Sequence, residues 1–165
     1  MTHHIHPKLK KVKSFLVLDD AMISFDNLIA SKKLFHLSKE INAVNFSPPW
    51  AFKRQIVMDF YQLFNLSKNT MATSEQVLDL IKYDDHRPAQ LWEGLSQDNN
   101  RIKEHKGHLV IFFGKIIELD RTFYVPGIHI DSNRSILSLY GTNRYWKESD
   151  LFATVPNKYI YPPLF

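Results

Sequence analysis

From His108 to Gly141 the apolar residues come in short runs cut by glycine, proline and polar turns. His108-Leu109-Val110-Ile111-Phe112-Phe113 gives way to Gly114, and Ile116-Ile117-Glu118-Leu119 to Asp120-Arg121-Thr122. Phe123-Tyr124-Val125 ends at Pro126-Gly127, then Ile128-His129-Ile130-Asp131 and Ile136-Leu137-Ser138-Leu139-Tyr140 follow, with residues 150–156 as a last short run. β-Branched and aromatic runs between turn residues predict consecutive strands, here an antiparallel meander over about 108–155.

Upstream the spacing lengthens. Phe25, Leu28, Ile29, Leu37, Ile41 and Val44 recur at threes and fours after Asp19 and Asp20, either of which suits an N-cap. His36 and Glu40 would pair on one face of that helix. Ser47-Pro48 reads as a cap followed by a first-turn proline. It would open a central helix in which Trp50, Ile56, Val57, Phe60, Leu63 and Phe64 share a face and Asn65 closes the end. Thr73 and Gln76 have the spacing of a capping box before Val77, Leu80 and Ile81. A further helix is expected over 88–106, with Leu91, Trp92, Leu95 and Ile102 inward, cations in its last turn and Gly107 beyond. The fold this implies is α+β: a helical N-terminal half (about 20–106) packed on the antiparallel meander (about 108–155).

At 165 residues, 44% hydrophobic and 23% charged, the chain suits one domain over 15–165 behind a flexible basic, His-rich segment, 1–14. Phe15–Leu18 is a strand or a helix lead-in, and Lys8, Lys10, Lys11 and Lys13 before it read as a solvated edge. Residues 159–165 are too proline-rich for regular structure and too apolar to float free. The absence of cysteine excludes disulfides, a thiol nucleophile and Cys-based metal sites. No apolar run reaches the roughly 18 residues a membrane helix needs, and no leader pattern is present, so a cytoplasmic protein without membrane attachment is expected. A net charge of +4 permits an acidic partner without demanding nucleic acid.

Candidate chemistry is sparse. No Gly-rich phosphate loop, zinc-protease signature or nucleophile elbow occurs, and no cofactor is implied. A free amino terminus with His3, or His4 once Met1 is removed, has the nitrogen ligands of a square-planar Cu(II) or Ni(II) site. Asp84-Asp85-His86-Arg87 is a base with its orienting acid, a pair of metal ligands, or a polar connector. His105, His108 and His129, with Lys115, Arg134 and Tyr140 near in sequence, are the parts of a metal-independent ribonuclease: two imidazoles for proton transfer and a cation for the phosphorane. Arg134, Arg144, Tyr145, Trp146 and Lys147 have the composition of a protein-binding hot spot, or of a platform for a stacked RNA base. The function expected is a small cofactor-free binding protein that neutralises or escorts a macromolecular partner, another protein before RNA. An immunity protein or antitoxin of a bacterial conflict system fits that description. The alternative is a toxin-like ribonuclease using the three histidines.

Overall fold

The computed structural model describes residues 7–20, 23–48, 53–64, 71–132 and 134–159. In chain order the elements are β1 (Lys8–Asp20), α1 (Phe25–Ser31), β2 (His36–Leu37), α2 (Ala43–Phe46), β3 (Lys53–Phe64), α3 (Ser74–Tyr83) and β4 (His86–Pro88). Then come α4 (Leu91–Leu95), α5 (Asn99–Lys103), β5 (Leu109–Ile111), β6 (Ile117–Leu119), β7 (Thr122–Asp131), β8 (Arg134–Gly141) and β9 (Leu151–Pro156). All nine strands form one mixed sheet in the order β1-β3-β9-β5-β7-β8-β2, with β4 beside β9 and β6 beside β7. Two pairings are parallel, β2 with β8 and β5 with β9; the rest are antiparallel.

This overturns the helical N-terminal half. The largest reversal is at 53–64, where a strand replaces the expected central helix. Ile56, Met58 and Phe60 enter one core while Leu63 enters the other. A strand buried on both faces carries apolar residues at odd and even positions, and that mixture imitates helical spacing. Ser47 is not an N-cap; it follows α2, where its backbone N–H bonds Ala43 O. Trp50 and Asn65 lie outside the described residues. β1 runs on to Asp20, so α1 is capped by Ser24 instead, and His36 stands on β2 rather than on a helix with Glu40. The basic run 8–13 is the start of β1, which among the described residues has only β3 beside it in the sheet path. The expected helix over 88–106 is two single-turn helices. Asp98 caps the second through Arg101 N, and Gly107 follows at φ +84° with its N–H on Ile130 O. Gly94 has no room for a side chain, because a Cβ there would sit 2.0 Å from the Phe112 ring. The helix after Thr73 is as expected, capping box included.

The strands expected between 108 and 155 are present, but not as a simple meander. β9 leaves β8 and inserts between β3 and β5. Its Leu151, Ala153 and Val155 join the core that also holds residues of α1, α2, α4 and α5. Phe152 joins the core under α3, with Ile111, Phe113, Val125 and Trp146. The sheet is therefore covered on both faces.

Phe60→Ala should cost about 3–5 kcal/mol in urea unfolding, since the ring is fully buried. Ser47→Ala should shift stability by less than about 0.5 kcal/mol, the surface value, in place of the roughly 1 kcal/mol of a lost cap. Gly94→Ala should destabilise by about 1–3 kcal/mol through overpacking against Phe112.

Candidate functional site

The three histidines of the ribonuclease reading are not brought together. His105 is buried, with its ring 4.3 Å from that of Phe60 and 6.0 Å from that of Phe15. Its Nδ1 has no hydrogen-bond partner, and Nε2 is 3.3 Å from Gln97 Oε1. Burial pushes the imidazole down to about 4, with the charges of Lys13 and His108 adding to the effect. His129 sits on β7, where Ile128 and Ile130 turn into the core that contains Phe60. Alternation places His129 and Asp131 on the opposite face, so the sheet lies between His105 and His129. His108 engages Ser149 O through Nδ1 at 2.8 Å.

A second titratable cluster escaped the sequence reading. Asp59 is a buried carboxylate on β3. Its Oδ1 accepts from Ser14 Oγ at 2.6 Å; its Oδ2 meets His86 Nε2 at 2.8 Å and Lys11 Nζ at 3.4 Å. Burial alone would raise the Asp59 carboxyl, but the bonds from Ser14 and His86 and the charges of Lys11 and His86 outweigh it and hold the group low. His86 Nδ1 meets Asp84 O at 2.7 Å, and the Tyr61 hydroxyl bonds the Asp84 carboxylate. Burial and that carboxylate push the Tyr61 phenol up. Asp59 and His86 thus form the Asp–His pair that Asp84-Asp85-His86-Arg87 hinted at, with a different acid. Both ring nitrogens face protein acceptors, so neither is offered to a substrate. The sequence pointed to His86 but not to its acid, whose one signal was an aspartate inside an apolar run.

The third charged node is Glu93, fully buried on α4. Arg87 grips it bidentately at 2.9 and 2.5 Å, Arg54 approaches to 3.3 Å, and Gln90 N donates at 2.8 Å. This ties α4 to β3 and β4 and is structural in character.

The expected hot spot divides. Trp146 is buried against Phe113 and Phe152, and its Nε1 donates to Ser74 Oγ at 2.8 Å. Arg144 lies over the Tyr140 and Trp146 rings at 5.5 and 4.8 Å. Tyr145 and Lys147 are exposed beside them. Arg134 stands at the other end of β8, over the exposed Phe35 ring at 4.7 Å and 3.7 Å from Asp131. Eight residues of strand span roughly 23 Å, so Arg134 belongs to a separate patch.

Beside the Arg144–Lys147 turn the structure opens a groove of about 720 Å³ between α3 and the β6–β7 hairpin. Ser74 roots it: its hydroxyl accepts from Trp146 and donates to Thr142 O at 2.6 Å. Ile116 and Phe123, about half exposed, and Leu78 form the apolar floor; Glu75, Asp79 and Glu118 form an acidic rim. Glu118 and Phe123 are direct cross-strand partners, while Glu75 and Asp79 stand one turn apart on α3. Exposed aromatic and aliphatic side chains flanked by carboxylates suit a partner that offers apolar knobs among lysines or arginines.

Among the described residues no group of three or more His, Asp or Glu is placed to hold a metal, and no helix is long and apolar enough to cross a membrane. His3 and His4 lie outside the described residues. Comparison with protein-family models, with curated proteins and with solved structures yields no match.

His105 gives a pH prediction. A folded-state value near 4 against an ordinary 6.5 favours the neutral ring in the folded state. Its contribution is complete above 6.5 and lost as pH falls toward 4, whereas Asp59, held below its ordinary 3.8, loses its own only at lower pH. Stability from urea melts should fall by up to about 3 kcal/mol between those limits, and His105→Leu should remove most of the slope.

Proposed function

We propose that the chain is a small protein-binding module that neutralises or escorts another protein, and that the groove between α3 and the β6–β7 hairpin is its contact surface. The observation that carries the reading is the exposed pair Ile116 and Phe123 inside a rim of Glu75, Asp79 and Glu118. On a chain of net charge +4 this is an acidic island, and its complement is a basic patch with an apolar centre. Proteins that act on nucleic acid present such patches for phosphate contact, which is what an immunity protein or antitoxin has to cover. The engagement of His86 and the burial of His105 support binding over catalysis, since both imidazoles are taken up inside the fold.

The test uses the full chain as bait in lysate of its source cells, with Phe123→Ala and Glu118→Lys baits run beside it. One protein retained by the wild type and lost from both variants is the expected result. With that protein purified, Phe123→Ala should weaken the complex by about 2 kcal/mol, roughly thirtyfold. A partner retained equally by all three baits would overturn the groove assignment. Total RNA incubated with the wild type in chelator should stay intact. Cleavage abolished by His129→Ala would overturn the binding reading altogether.

A further inference from the structure

On the other face of the sheet, where α1 runs into β2, the structure has a second, partly open cavity of about 220 Å³. Lys32, Lys33 and Lys103 line it, and Leu34, Ile102 and Ile128 supply apolar wall. Its walls are stitched together by hydrogen bonds. Asn99 Nδ2 donates to Ser31 O at 3.1 Å, joining α5 to the end of α1, and Phe35 N donates to Ser135 O at 2.9 Å, joining the following loop to β8. Lys32 Nζ donates to Gln97 O at 2.6 Å. Such a site is formed before any ligand arrives.

Burial lowers the Lys32 ammonium, and the Asp98 carboxylate offsets this only in part. Arg101 and Glu104, on the adjacent turn, pair with each other at 3.7 Å. Lys33 follows the C-cap of α1 at φ 49°, the left-handed turn that ends many helices, and so lines the cavity from the helix end. Three lysines around one cavity gather positive charge that a bound anion would balance.

We propose that this cavity binds a small phosphate monoester, its phosphate among Lys32, Lys33 and Lys103 and its apolar body against Leu34, Ile102 and Ile128. Lysines act as point charges around a tetrahedral anion, whereas a planar carboxylate is matched by the arginine fork, which is absent from this lining. The volume is below the roughly 300 Å³ at which drug-sized sites begin, so the ligand is a phosphate on one small ring or short chain. Ser135 completes the wall.

Calorimetry of the full chain with phenyl phosphate, inorganic phosphate and phenol tests this, at an ionic strength of about 0.05 M to limit screening. Phenyl phosphate should bind one to one, and inorganic phosphate about tenfold more weakly for want of the apolar contact. Phenol should not bind. Lys32→Met and Lys103→Met should each weaken phenyl phosphate by about tenfold. Should Lys32→Met fail to fold by circular dichroism, Lys33→Met and Lys103→Met, both at exposed positions, carry the same test. No saturable binding of phenyl phosphate up to about 10 mM overturns the proposal, since affinities weaker than that fall below a specific site. So does unchanged affinity in the lysine variants. Equal affinity for inorganic phosphate overturns the apolar half of the site.

Discussion

The fold depends on how β9 is paired. Thr154 opposes Asp59 of β3 and also Pro88 of β4, and Leu151 opposes Gln62 of β3 and also Val110 of β5. β9 is therefore hydrogen-bonded along both edges, with β5 and then β4 sharing the edge away from β3. Leu151 through Val155 are all buried, three toward one core and Phe152 toward the other. A strand covered on both faces and both edges has its register imposed from four sides, and a one-residue slip would exchange the two cores. Each partner strand inherits that register. Asp59 and Tyr61 face α3 because Phe60 faces α4 and α5, and His129 is kept from His105 for the same reason.

The polar groups enclosed by this arrangement are satisfied in different degrees. Glu93 has two arginines and a backbone N–H, and Asp59 has a serine, a histidine and a lysine. Buried ion pairs of this kind yield little net stability over apolar replacements, while losing one partner is expensive. They oppose misdocking of β3, β4 and α4 more than they add to the depth of the fold. His105 is the less satisfied case, with a bare Nδ1 among phenylalanine rings, and it stays neutral as a result. The residue types that suggested acid–base chemistry are in large part those used to complete the interior.

What remains at the surface is divided by the sheet. The acid-rimmed groove rests on the α3 core, and the lysine-lined cavity rests on the core of α1 and α5. With the sheet between them, a protein in the groove and a small anion in the cavity would not compete for space. β7 lines both, with Ile128 at the cavity and Phe123 at the groove, so any coupling between them would run along that strand.

The features legible in the sequence were those set by neighbours along the chain. The capping box of Thr73 and Gln76 and the alternation of Ile128 and Ile130 against His129 and Asp131 need only a few consecutive residues, and the structure has both. The strands from 109 to 141 were legible for the same reason, because tight turns join them in order. The state of 53–64 was not, since spacing cannot separate a helix face from a strand buried on both sides; the insertion of β9 beside β3 decided it. Nor were the Asp59–His86 pair, separated by 27 positions, or the groove, which joins α3 to a hairpin some forty residues on. Trp146 shows the division within one side chain. Its type marked it as an anchor, but whether it anchors a partner or the fold depended on Ser74 and Phe113 being beneath it, and only long-range packing puts them there.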